Sequence, residues 1–212
     1  PFGQIQIKKD LRGATVGGIS RRFVELAKIP IPKNYDDQIR IATLLSRAEA
    51  LIAKRKESIR LLNEFIKSTF LEMFGDPYFN VKKWPLKKLR DLCELITKGT
   101  TPKSKEIYEK YEEGYIPFLK VYHIMDDGSI NFEYEPSFVD YQLHNGFLSR
   151  SKVYPNDVLM NIVGPPLGKL GIVPNKYPEW NVNQAIAIYR CRELLMPRFL
   201  LYTLKSNNFL YS

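Results

Sequence analysis

Between Pro32 and Gly75 the chain contains neither proline nor glycine, and that uninterrupted run limits what it can fold into. Asn34 is placed to cap a helix, and Asp36 and Asp37 fall in its first turn, where the helix dipole favours negative charge. Gly75 and then Pro77 close it in the order a helix C-terminus prefers. Alternating steps of four and three residues pick out Ile41, Leu45, Ala48, Ile52, Arg55, Ile59, Leu62, Ile66, Thr69 and Met73, of which all but Arg55 and Thr69 are apolar. Leu44, Leu51, Leu61, Phe65 and Phe70 widen the stripe, while Lys54, Lys56, Glu57 and Arg60 take other faces. At 1.5 Å per residue, positions 36–73 span roughly 57 Å.

With 212 residues, the chain can hold one domain of ordinary size plus an extended element, and not a large multidomain enzyme. One globule of that size cannot cover such a stripe. The helix therefore calls for a second long helix, from another molecule or from further sequence, and its spacing predicts a coiled coil. The plainer alternative is an amphipathic helix lying on its own domain. Two copies packed antiparallel about a twofold axis would cover both stripes, so a homodimer is expected through Ile41, Leu45, Ala48, Ile52, Ile59, Leu62, Ile66 and Met73. The seven bases and seven acids of residues 34–76 raise no net repulsion against it.

After Pro77 the pattern shortens. Apolar runs at Ile116–Val121, Val153–Tyr154, Asp157–Val163, Gly171–Val173 and Gln184–Tyr189 alternate with turn signals such as Asp126-Asp127-Gly128, which predicts a mainly β domain. Short helices are expected at Lys87–Leu95 and Met196–Ser206. Residues 1–33 read as an incomplete unit, with a strand-like Gln4–Ile7, a turn at Gly17-Gly18 and an apolar stretch Phe23–Ile31. The expected fold class is thus α+β, with residues 1–33, 34–76 and 77–212 as its three parts.

The net charge of +9 lies on the flanks of the helix: seven bases against two acids in residues 1–33, and 18 against 14 in residues 77–212. Such an excess favours a polyanion, and nucleic acid over a membrane surface because no basic amphipathic helix stands out. No stretch approaches 18 consecutive apolar residues and no signal-peptide pattern opens the sequence, so no membrane partner is expected. Cys93 and Cys191 are too few for a disulfide framework. A soluble, cytoplasmic protein is expected.

Candidate catalytic motifs fail on inspection. Gly164-Pro165-Pro166-Leu167-Gly168-Lys169 has three residues between its glycines, two of them prolines without an N–H, and Leu170 follows where a phosphate loop needs Ser or Thr. The same Pro-Pro lacks the Asp or Asn that precedes it in amino-methyltransferases. His123 and His144 have no ligand partners at metal spacing, so no metal site is expected. His123 beside Asp126 reads as a loop residue rather than a base.

The residues that suggest a task lie on turns. Lys98, Thr100, Thr101 and Lys103 gather hydroxyls and bases around Gly99, which suits phosphate oxygens. Lys120, Tyr122, Asn161, Lys169, Asn183 and Gln184 add groups that can pair with base edges. Taken singly, each also fits an ordinary turn or a buried amide.

Several strings resemble specificity subunits of type I restriction–modification systems. Lys28-Ile29-Pro30-Ile31-Pro32-Lys33 and Asp37-Gln38-Ile39-Arg40-Ile41-Ala42 are similar to the approach to that family's long helix, and Ala48–Arg55 and Phe70–Pro77 to its body and exit. Trp84–Leu89, Lys98–Pro102, Asp157–Met160 and Asn183–Ala185 resemble its target recognition domain. The resemblance implies a non-catalytic reader of double-stranded DNA. It would bring a methyltransferase subunit, which binds S-adenosylmethionine and methylates adenine, and a restriction subunit to a split site. No cofactor would be held by this chain. Family members usually carry two recognition domains separated by two antiparallel helices; here one helix and one domain are evident. Residues 1–33 would complete a neighbouring molecule's domain, complete this chain's own as in a circular permutation, or remain from a deleted first domain. The alternative from another class is a coiled-coil scaffold whose basic domain binds no DNA.

Overall fold

The computed structural model describes residues 21–206. The expected strand at Gln4–Ile7 and turn at Gly17-Gly18 lie outside the described residues. Internal contacts divide the chain into two units, residues 1–59 and 60–212. In the first, helix α1 (Arg21–Leu26) occupies part of the apolar stretch expected there. Helix α2 (Tyr35–Phe74) has 40 residues, about 60 Å of rise. It starts where the cap predicts: Asn34 Oδ1 accepts from Asp36 N at 3.0 Å. None of its residues is buried, and the stripe is exposed from Ile41, 48% exposed, to Met73, 72% exposed, except at Thr69 and Phe70, which are half-buried, Phe70 beside the rings of Phe199 and Tyr202.

The C-terminal end of α2 is tied down within the second unit. Gly75, with φ +90°, donates to Leu71 O at 2.8 Å and turns the chain out of the helix. Lys82 Nζ donates to the carbonyls of Glu72 and Met73, and Trp84 Nε1 to that of Phe74. These donors satisfy carbonyls that a helix end leaves unpaired, and the lysine places a cation at the negative end of the dipole. The Trp84 ring stacks on Phe74, with centroids 5.6 Å apart and planes within 3°.

Residues beyond Trp84 form two sheets and three short helices. The strands are β1 (Cys93–Lys98), β2 (Ile116–Leu119), β3 (Phe138–Val139), β4 (Lys152–Val153), β5 (Val158–Asn161), β6 (Leu170–Ile172), β7 (Trp180–Val182) and β8 (Ile186–Cys191). One sheet is antiparallel in the order β1-β8-β5-β6. The other runs β3-β2-β7-β4, with β2 and β7 parallel. Helices α3 (Leu89–Leu92), α4 (Tyr141–Asn145) and α5 (Pro197–Lys205) complete the unit. The fold is α+β, as the sequence predicts. The helix expected over Lys87–Leu95 is shorter: pairing of Cys93 with Cys191 and of Leu95–Lys98 with β8 takes Cys93 onward into a strand.

Strands β5 and β8 are buried on both faces, which is why they read as continuous apolar runs rather than alternating ones. Leu159, Ile186 and Ile188 join Trp180, Val182 and Phe132 in one core. Their neighbours Val158, Ala187 and Tyr189 turn the other way, onto Leu200, Leu201 and Leu204 of α5. Beside this layered core lies a buried ion pair. Arg190 Nε and Nη2 donate to Asp157 at 3.0 and 2.8 Å, with the two side chains 22% and 3% exposed, and the carboxylate pushes the guanidinium pKa further up. Asp157 also accepts from Tyr154 N, and the guanidinium lies 4.5 Å from the Tyr154 ring centroid.

Removing one partner of a buried pair leaves the other charge uncompensated, which costs more than the pair itself contributes. Asp157→Ala should lower the unfolding free energy by about 3 kcal/mol or more. Urea titration reads this as a lower midpoint at unchanged slope; an unshifted midpoint would contradict the prediction.

Candidate nucleic-acid interface

Strand β7 belongs to one sheet and β8 to the other, and only Asn183, Gln184 and Ala185 join them. Because this crossing touches both sheets, loops from several parts of the sequence hydrogen-bond to it. Asn183 N donates to Leu119 O at 3.0 Å, which brings in the end of β2 and Lys120. Ile162 N donates to Ala185 O at 2.8 Å, which brings in the loop after β5. Gln184 N donates to Thr101 Oγ1 at 3.0 Å, and Thr100 N to Val182 O at 3.1 Å, which brings in the loop after β1.

Gly99 makes that last approach possible. A Cβ there would lie 2.0 Å from Asn183 O and 2.3 Å from Val182 O, closer than any side chain can come. The segments beginning at Lys98, Lys120 and Asn161, up to 86 residues from Gln184, are therefore drawn to one junction by backbone hydrogen bonds and the Thr101 hydroxyl.

Their side chains are not equivalent. Lys98, Thr101, Lys103 and Gln184 are exposed, as is Tyr122, whose hydroxyl donates to Glu135 O. Lys120 is half-buried, its ammonium 5.7 Å from the Tyr122 ring centroid. Lys169 is half-buried too, paired with Asp126 at 3.2 Å and donating to Ile124 O. Asn183 is half-buried, and its Oδ1 meets no donor among the described residues.

Two of the predicted residues face inward. Asn161 is 1% exposed; its amide donates to Gly164 O and Pro166 O at 3.2 and 2.7 Å and so braces the glycine-proline loop. Thr100 is 8% exposed, and its hydroxyl accepts from Arg150 Nε at 3.1 Å. Arg150 lies in a short 3₁₀ turn, Ser149–Ser151, and its side chain is exposed at the junction. Sequence reasoning missed it. Its only local signal is a base flanked by serines, and its partner is 50 residues away.

The histidines are structural. His123 is fully buried, so the loop-residue expectation gives way to a brace. Its Nδ1 accepts from Lys120 N at 3.0 Å and its Nε2 donates to Glu135 O at 3.2 Å. His144, also fully buried, donates from Nδ1 to Asn181 Oδ1 at 2.5 Å, and its Nε2 meets Glu179 Oε2 at 2.7 Å. That contact, aided by Lys152, holds the Glu179 carboxyl below the usual range. Among the described residues no group of three or more His, Cys, Asp or Glu side chains could hold a metal ion, and no helix is long and apolar enough to cross a membrane.

Burial pushes the His123 pKa below its ordinary 6.5, with Lys120 adding to the shift. The unfolded chain therefore takes up a proton at a pH where the folded chain does not. The stability this contributes is complete above about pH 6.5 and is lost as pH falls through the depressed value. His123→Gln should flatten the pH dependence of the unfolding free energy just below pH 6.5. Parallel stability-against-pH curves for the two proteins would contradict this.

Comparison with known proteins identifies the family. A family model for the type I restriction modification DNA specificity domain matches residues 81–211. The type I restriction enzyme MjaIX specificity subunit of Methanocaldococcus jannaschii is 26% identical over 195 residues, covering 82% of this chain and 42% of that protein. Among solved structures, the HsdS subunit from Thermoanaerobacter tengcongensis matches with a TM-score of 0.46 and 22% identity, over 96% of this chain and 49% of that one. The type I restriction-modification S subunit from M. genitalium matches with a TM-score of 0.47 and 18% identity, over 96% and 50%. The chain thus spans about half the length, or less, of these relatives. With the family model covering most of its length, the chain belongs to the type I restriction modification DNA specificity domain family.

Proposed function

We propose that this chain recognises double-stranded DNA as the specificity component of a type I restriction–modification complex, with residues 77–212 as its reading domain. The observation that carries the reading is the junction at Asn183–Ala185. It draws loops of unlike sequence position together and leaves Lys98, Lys103, Thr101 and Gln184 at the surface. The lysines supply sequence-independent attraction to phosphate, and the amide of Gln184 can pair with a base edge.

On this reading the chain supplies no catalytic group. S-adenosylmethionine is bound by a partner methyltransferase subunit, and a restriction subunit joins through the complex. The exposed stripe of α2 is the surface for assembly, as an antiparallel homodimer that carries two recognition domains. Each large apolar side chain moved from water to a buried seam contributes roughly 1.5–3 kcal/mol. Such a dimer reads a symmetric site with an unread spacer, and works in the cytoplasm.

Lys98→Ala and Lys103→Ala should each weaken binding to every duplex and reduce the slope of log K against log salt by about 0.9. Gln184→Ala should reduce discrimination and leave that slope alone. Unchanged slopes for both folded lysine variants would remove the loop from the interface. Duplex affinity absent at any salt would favour the scaffold reading.

Light scattering tests the assembly. Ile52→Glu combined with Ile59→Glu should give a monomer. A wild-type chain that stays monomeric at high concentration, alone and with its methyltransferase, would refute the dimer.

A further inference from the structure

Arg150 differs from the other cations of the junction in how firmly it is held. Its backbone turn is braced from below by Asn181, whose buried amide donates to Leu148 O and Ser151 O, both at 3.2 Å. Asn181 is in turn oriented by the buried His144. Ser151 Oγ also donates to Leu148 O at 2.9 Å. The side chain is braced separately, because Nε donates to the buried Thr100, whose own N–H is fixed on Val182 O.

One nitrogen of the guanidinium is thus engaged; the side chain is exposed, and its two Nη groups have no hydrogen-bond partner among the described residues. No carboxylate among the described residues forms an ion pair with Arg150. By contrast, Arg190 has Nε and Nη2 both engaged by Asp157. Lys98 and Lys103 are flexible point charges, enough for phosphates whose positions vary little with sequence. A planar donor pair fixed at both backbone and Nε suits a planar acceptor pair at one fixed place. On duplex DNA that pair is O6 and N7 of guanine, on the major-groove edge.

We propose that Arg150 is a specificity-determining residue that reads a guanine through its two Nη groups, with Thr100 as its positioning residue. The assignment rests on the DNA-reading function proposed above and adds to it a residue, a base and a groove.

The test is binding selection by the full chain on a random-core duplex library at one low salt concentration, followed by affinity measurements on the selected duplex. The wild type selects a site with an invariant guanine at one position, and replacing that base by 7-deazaguanine weakens binding by roughly 5- to 150-fold. Arg150→Lys keeps the charge and the salt slope but loses the guanine preference at that position alone. Thr100→Ser retains the preference and Thr100→Val diminishes it, with unfolding midpoints measured alongside to confirm that each variant is folded.

Two outcomes overturn the assignment while leaving DNA recognition standing. One is an unchanged guanine preference in Arg150→Lys and Arg150→Ala. The other is a uniform loss of affinity in Arg150→Ala with a shallower salt slope, which marks a phosphate contact. Failure of the wild type to select any sequence overturns the DNA reading itself, and the assignment with it.

Discussion

At Gly99 the end of β1 passes against the carbonyls of Val182 and Asn183 with no room for a methyl group. The requirement is one of space, since any Cβ would sit at 2.0–2.3 Å from two backbone oxygens. On this approach depends the pairing of Thr100 N with Val182 O, and of Gln184 N with the Thr101 hydroxyl. Without it the loop carrying Lys98, Thr101 and Lys103 would lose its register against the crossing, and the Arg150 guanidinium would lose its anchor on Thr100. The candidate interface is thus a set of loops held by backbone hydrogen bonds and the Thr101 hydroxyl.

Those bonds need a rigid base. Strands β5 and β8 supply it by burying both faces, Leu159, Ile186 and Ile188 toward one layer and Val158, Ala187 and Tyr189 toward the other. Polar groups inside this base are paired rather than avoided. His144, Glu179 and Asn181 brace the turn at Ser149–Ser151, and Asp157 with Arg190 fixes the start of β5 against β8. Each buried polar group left unpaired would cost more than its bond contributes, so such networks favour one arrangement over near alternatives.

The long helix was legible because its signals are local. Asn34, the paired aspartates and Gly75 set its ends within a residue of those observed, and the stripe repeats over ten positions. The strands of the second unit were harder. Phe138–Val139 and Trp180–Val182 are too short to show a period, and the helix-like pattern of Lys87–Leu95 overlaps the start of Cys93–Lys98, whose pairing partner lies at residues 187–191. The candidate site was legible as residue types but not as places. Asn161 turns inward onto its own loop, at Gly164 and Pro166, which its residue type alone does not announce. Thr100 turns inward to Arg150, 50 residues away, and nothing near either one in sequence points to the other.

Strand β1 finds its partner in β8, and β2 lies parallel to β7, so the sheets join segments separated by about 60 to 100 residues. Closing loops of that length must precede the contacts that reward it, which slows folding. On the ribosome, β1 and the edge of β2 away from β3 emerge early and stay unpaired until residues 180–191 have been made. The junction at Asn183–Ala185 is then among the last parts to form. A nascent chain completes the segments of its long helix well before those of the junction proposed to read DNA.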